Sequence, residues 1–275
     1  MKRECLLQLT VFMLFLINQG CGPEAETGDV FKRYAARTGK YPSPAADTLP
    51  PGAKRASLTT GAVDVDYLCG KFDAAKRADF AAVNAPYTRK PNMFLRRETL
   101  GAFKQMWEAA RKDGVELRIV SATRSFEQQK AIWEGKWIRL ASQFPNAKDR
   151  ALKILEYSAM PGVSRHHWGT DVDLNDLNNS AFEPGGKEEN VYIWLKKHAH
   201  TYGFCQPYSI QDERRPGGYS EERWHWSYLP LATPLLEQYL QIMRDDMIGG
   251  FQGAQTAQSV GIIKHYAAGI NPDCK

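Results

Sequence analysis

Long apolar runs are scarce in this chain. The most apolar stretch, Leu6 to Ile17, is broken by Gln8 and Thr10 and falls short of the about 20 residues that a membrane-spanning helix needs. Charge is not blocked either: 36 Lys and Arg and 31 Asp and Glu are scattered to a net +5, so there is no basic arm of the kind that grips nucleic acid. Cysteine is sparse. Cys5, Cys21, Cys69, Cys205 and Cys274 include no C-x-x-C pair, which makes cysteine a poor metal-ligand candidate. No internal repeat is present. The 275 residues, 43% hydrophobic and 24% charged, have the composition of one globular domain with extensions.

The N-terminus differs from the rest. Lys2 and Arg3 precede the apolar stretch, and Asn18-Gln19-Gly20-Cys21 follows it. A basic start, a short apolar segment and a small residue read as an export signal over residues 1–21. Cys21 after Gly20 resembles a lipoprotein processing site, although Asn18 stands where an aliphatic residue is usual, so membrane attachment through a lipid on Cys21 is an expectation. Residues 22–62 read as a polar extension, with a helix candidate at Asp29 to Arg37 and a linker carrying Pro42, Pro44, Pro50 and Pro51. A domain is expected over 63–248, and 249–275 forms a tail of ambiguous pattern. Export permits a disulfide. Cys205 with Cys274 is the favoured pair because it ties the tail to the domain, but the sequence itself does not choose among pairings.

Within the domain, helix and strand patterns alternate. Leu100, Phe103, Met106, Trp107 and Ala110 predict a helix over 97–112. Val115, Leu117 and Ile119 predict a strand over 115–121. Ser125 and Gln128 have capping-box spacing for a helix reaching about Ala141. Further helices are expected over 146–157, 189–202 and 234–247, the last with Thr233 as N-cap and Pro234 in its first turn. Short strands are expected at 170–174 and 224–229. Pattern alone leaves antiparallel and parallel arrangements open.

Two segments concentrate metal-binding side chains: Ser164-Arg165-His166-His167-Trp168-Gly169-Thr170-Asp171-Val172-Asp173 and Glu222-Arg223-Trp224-His225-Trp226. Two imidazoles and a carboxylate are a common protein ligand set for catalytic zinc, which leaves a position for water. His166, Asp173 and His225 supply such a set for one Zn2+. Glu222, three residues before His225, can approach the same ion without binding it and take a proton from water there. Gly169 lets the chain turn between the first two ligands. Asp171 and Asp173 alternate onto one face of a strand, and only one of them needs to bind metal. His167, His198, His200 and His265 are read as structural. Trp224 and Trp226 flank His225; one can line a cleft, but core packing is the commoner use.

These segments resemble the signature of the LAS zinc peptidases, Ser-x-His-x-x-Gly-x-Ala-x-Asp followed by Glu-x-x-His. Ser164, His166, Gly169, Asp173, Glu222 and His225 match, and Asp171 departs by replacing the alanine. Ser121-Ala122-Thr123-Arg124-Ser125 with Gln129 resembles the Ser-Gly-Tyr-Arg-Ser-x-x-x-Gln element of the VanY-like carboxypeptidases, with Ala122 and Thr123 as departures. The resemblance covers roughly 63–240. It implies an α+β fold, a small antiparallel sheet flanked by helices. It also implies zinc-dependent cleavage of peptidoglycan stem peptides containing D-amino acids, foremost as a D-alanyl-D-alanine carboxypeptidase. Endopeptidase, dipeptidase and non-catalytic zinc-bearing wall-binding readings stay open. By the same resemblance Glu222 and Arg124 are catalytic, and Gln129 and Ser164 bind substrate. A cation is poorly placed at a helix N-terminus, which favours a functional reason for Arg124.

Overall fold

The computed structural model describes residues 64–275; the expected export signal, Cys21 and the linker lie outside them. Among the described residues no helix is long and apolar enough to cross a membrane.

A short helix, α1 (Val65–Leu68), precedes a hairpin of β1 (Phe80–Val83) and β2 (Met93–Arg96) that sequence patterning did not reveal. Helix α2 (Arg97–Lys112) has the predicted bounds, and Leu100, Phe103, Met106 and Ala110 are its buried stripe. Strand β3 is shorter than expected, Ile119–Ser121. The preceding Arg118 is paired instead to Asn175, whose side-chain oxygen accepts its N–H at 2.9 Å and whose own N–H donates to its carbonyl at 2.8 Å. Helix α3 (Phe126–Arg139) starts at the predicted capping box, with Gln128 N–H donating to Ser125 Oγ at 3.2 Å and Ser125 N–H to Gln128 Oε1 at 2.9 Å. Helix α4 (Ala147–Ile154), capped by Asn146, stops three residues early and leaves Tyr157 exposed.

Strand β4 (Asp171–Leu174), helix α5 (Glu189–His198), β5 (Phe204–Cys205) and β6 (His225–Tyr228) complete a four-stranded sheet. Its order is β3-β4-β6-β5 and every pairing is antiparallel. The α+β expectation therefore holds, and the parallel alternative does not.

Helix α6 corrects the expected start at Pro234. It runs Leu229–Ile242, with Tyr228 rather than Thr233 at its N-cap, Pro230 in the first turn and Pro234 inside. The buried stripe Leu231, Ala232, Leu235, Leu236 and Tyr239 begins before Pro234, so packing carries the helix through a residue that lacks one backbone donor. Leu229 N–H is satisfied by Gly203 carbonyl at 2.9 Å.

The tail packs into the domain through α7 (Ala257–Val260) and short turns, burying Ile262, Ala267 and Ile270. The Cys205–Cys274 disulfide forms, and Cys69 is free and buried. A cross-link closing a 69-residue separation contributes about 2–4 kcal/mol.

Two apolar clusters sandwich the sheet region. One unites Val172, Leu174 and Trp226 of the sheet with α2 and α5; the other joins residues of α3, α4, α6 and the tail. Between them lies the other sheet face, with Asp171, Asp173, His225 and Ser227.

Candidate metal centre and substrate cleft

Register builds the centre. Asp173 stands opposite His225, and Asp171 opposite Ser227, so alternation puts all four side chains on one face. His166 enters from a 3-10 turn, Arg165–Trp168, that ends at Gly169 with φ 75°. A Cβ at Gly169 would collide with the Phe80 ring. Glycine is needed there for the turn and for the space.

The hydrogen bonds select which ring nitrogens face inward. His166 Nδ1 lies 2.8 Å from Ala122 carbonyl and so carries the proton, leaving Nε2 toward Asp173 Oδ1 at 3.3 Å. His225 Nε2 lies 2.8 Å from Asp171 Oδ2, and its Nδ1 is 3.2 Å from Asp173 Oδ1 and 3.3 Å from Glu222 Oε2. One ligand atom from each of His166, Asp173 and His225 falls within 4.8 Å of the others. His166 Nε2 and Asp173 Oδ1 are buried and make no hydrogen bond. Buried polar atoms without partners are rare, and two of them converging with a third donor of N/O type fit a zinc ion.

Asp171 is not a member of this set. It is wholly buried and its two oxygens are saturated. Oδ2 accepts from Arg165 Nε at 3.0 Å and from His225, while Oδ1 accepts from Thr170 Oγ1 at 2.6 Å and Ser227 Oγ at 2.9 Å. Burial alone would raise its carboxyl pKa, but the Arg165 guanidinium and His225 hold it well below the usual range. The residue that departs from the signature thus stands behind His225 and fixes the ring's tautomer and direction, as carboxylates behind metal-binding histidines do.

Burial raises the Glu222 carboxyl and His225 opposes this. Burial likewise tends to lower His225, but the carboxylates of Asp171, Asp173 and Glu222 outweigh it and hold the metal-free imidazole protonated well above its ordinary range.

Arg124 is strapped in place by its backbone. Its N–H donates to His166 carbonyl at 3.0 Å, and its carbonyl accepts from His167 Nδ1 at 2.7 Å. Among the described residues its guanidinium makes no hydrogen bond or ion pair, and Nε is buried and unsatisfied. Gln129 donates from Nε2 to Ala159 carbonyl at 2.7 Å, leaving Oε1 buried and free to accept. Both line a cavity of ≈ 300 Å³ beside His166 and His225, together with Ser164, Tyr208, Tyr219 and Glu222. A wider cleft of ≈ 1010 Å³ adjoins it, sharing Arg124, Tyr157, Ser158 and Glu222. Trp224 and Trp226 both pack in one apolar cluster, and Trp224 also lines this cleft. Tyr208, Tyr219, Ser158 and Lys136 were not expected here. Only Lys136 left a signal, falling seven residues after Gln129 and thus two turns along one helix face.

His167 points away from the centre, with Nε2 accepting from Gly162 N–H at 3.0 Å. A Cβ on Gly70, at φ 72°, would strike its ring. Burial depresses its pKa to about 3. The unfolded chain, with an ordinary histidine near pH 6.5, therefore takes up a proton that the folded chain refuses. Stability is lost as pH falls from about 6.5 toward 3, by about 1.4 kcal/mol per unit. His167→Gln keeps a donor and an acceptor and should flatten this component in urea unfolding at pH 7, 5 and 4. Equal acid sensitivity of both proteins would refute the assignment.

The profile of the VanY family, D-alanyl-D-alanine carboxypeptidase, matches residues 92–231, just over half of the chain. The chain belongs to this family. The match spans β3, β4, β6 and every residue of the centre. The family member is 30% identical over 139 residues to a D-alanyl-D-alanine carboxypeptidase of Enterococcus faecalis, covering 50% of each chain. It is 31% identical over 143 residues to YodJ of Bacillus subtilis, covering 50% of this chain and 46% of that one. The chain thus spans about half the length of these curated relatives. Among solved structures it is similar to VanYB in complex with D-alanine-D-alanine, with 26% identity, a TM-score of 0.43 and coverage of 59% of this chain and 94% of that one. The VanY-family match ends at 231, so the tail that abuts the cavity wall lies beyond it.

Proposed function

We propose that this VanY-family chain is a zinc D-alanyl-D-alanine carboxypeptidase that removes the terminal D-alanine from peptidoglycan stem peptides. The observation that carries this reading is the small cavity beside the three ligands. Walled by Gln129, Ala159, Tyr208 and Tyr219, it has room for no more than a small terminal residue, whereas an endopeptidase must let chain continue on that side.

His166, Asp173 and His225 would hold a zinc ion, which when bound would supply Lewis acidity and make water more acidic. Glu222 accepts the proton of the attacking water and passes it to the leaving amine. Arg124, with an unpaired guanidinium, holds the terminal carboxylate in a charge-assisted contact. Gln129 Oε1 accepts an N–H of the substrate, and Ser164 contributes a hydroxyl to the pocket. The reading places the enzyme outside the cytoplasm, in line with the export signal expected at residues 1–21 and a lipid on Cys21.

The test is mass spectrometry of purified muropeptides after incubation with the zinc-loaded chain, beside a Glu222→Ala control. Loss of one terminal alanine in the active sample alone, abolished by amidating the terminal carboxylate, is the expected result. Cleavage within a cross-link would make the enzyme an endopeptidase. Zinc binding with no cleavage would point to a binding module.

A further inference from the structure

The wider cleft contains a cation that the mechanism does not use. Lys136, on α3, is half-buried and lines the cleft with Ser158, Leu177 and Trp224. Its Nζ donates to Ser158 Oγ at 2.5 Å. Among the described residues no carboxylate comes within ion-pair distance of it. An ammonium carries three donors, and this one spends one on a neutral hydroxyl. Glu222 in the same cleft attracts it without coming within ion-pair distance, so two donors of a partly buried ammonium stay available for an anion that arrives with the substrate.

The surroundings narrow that anion. Leu177, 54% exposed, and Trp224 give the cleft apolar lining, and the bonded pair of Lys136 and Ser158 lines it beside the Arg124, Asp173 and Glu222 that the reaction uses. A side chain with an aliphatic stem and a carboxylate at its tip fits both parts. The terminal residue is taken by the small cavity, and the chain on the acyl side of the cut bond extends along the cleft. We propose that Lys136 and Ser158 form a subsite for a free side-chain carboxylate on the residue preceding the terminal dipeptide. The enzyme then prefers stem peptides carrying a diamino dicarboxylic acid there over those carrying lysine. The inference deepens the carboxypeptidase reading and rests on it.

Two pentapeptides ending in D-alanyl-D-alanine test it, one with diaminopimelate and one with lysine at the third position. The expected kcat/KM ratio favours diaminopimelate by about tenfold or more, as for a charge-assisted hydrogen bond. Lys136→Met should bring the two substrates within about twofold of each other, the size of change expected when that bond is gone. Lys136→Arg should keep most of the preference and shows that folding is not the cause. Calorimetry with zinc-loaded Glu222→Ala protein should give the same order of affinities without turnover. Equal treatment of the two peptides by the wild type overturns the inference while leaving the carboxypeptidase intact. An equal fall for both in Lys136→Met places the lysine on the terminal carboxylate and also overturns it. If neither peptide loses alanine, the carboxypeptidase reading fails, and the calorimetric order alone decides whether the carboxylate subsite exists.

Discussion

Replacing Glu222 with glutamine is expected to lower kcat/KM for D-alanine release by about 10²–10⁴-fold, the range for removal of a general acid–base group, while the protein keeps its zinc. Glu222 Oε2 stands 3.3 Å from His225 Nδ1, close enough to face the reacting water. It lies outside the trio whose ligand atoms converge. Glutamine keeps the shape and can still hydrogen-bond, but it cannot accept and return a proton at neutral pH. Steady-state kinetics on a pentapeptide, with metal content measured on the same samples, checks this. Full zinc with activity lost assigns proton transfer to Glu222. Zinc lost in step with activity would instead make Glu222 part of the metal's hold, and the proposed mechanism would need another base.

Removing the Asp171 carboxylate should weaken zinc binding by about 10–100-fold, as loss of carboxylates behind ligating histidines does. Asp171→Ala restores the residue type of the wider signature, yet in this chain it strands four donors. Arg165 Nε, Thr170 Oγ1, Ser227 Oγ and His225 Nε2 all lose their acceptor in a dry interior. Breaking a buried ion pair on one side is destabilising by about 3–5 kcal/mol. The double variant Arg165→Met/Asp171→Ala separates the two effects. It should recover much of the stability because no guanidinium is left uncompensated, but not the zinc affinity, because His225 still lacks its partner. Chelator competition and urea unfolding on both variants read the two quantities independently. If affinity returns with stability, Asp171 serves only to neutralise Arg165.

The approach of His166 to Asp173 was legible in the sequence because short spacings report local geometry, a turn at Gly169 and a period-two strand, whereas His225, 52 residues further on, was joined to them only by the resemblance to a two-part signature. The part played by Asp171 was not legible, since it depends on the pairing of Asp171 with Ser227, 56 residues away. Only a register shows that the carboxylate meets the far side of His225. The start of α6 was misplaced because Thr233-Pro234 imitates a helix entry, while the apolar stripe that overrides it begins at Leu231. Tyr208 and Tyr219 sit on irregular chain between β5 and β6, where no periodicity announces a direction. The tail was opaque for a similar reason: its short turns are held by packing, by the disulfide and by capture of loop carbonyls rather than by a pattern of their own.

That capture ties the cavity wall to the redox state of one bond. Asn271 donates its N–H to Pro207 carbonyl at 2.8 Å and its side-chain amide to Gln206 carbonyl at 3.3 Å, and Cys274 closes on Cys205. Tyr266 packs on Tyr219 at 5.2 Å, Tyr219 on Tyr208 at 4.9 Å, and Tyr208 on His225 at 4.7 Å. A row of rings therefore runs from the tail, at Tyr266, to the metal centre. The ligands and the base all lie ahead of this tail, while the buttress for the cavity wall is fastened across a single sulfur–sulfur bond. An oxidising environment thus holds the wall against His225, and a reducing one frees the tail while leaving every ligand on its own strand or turn.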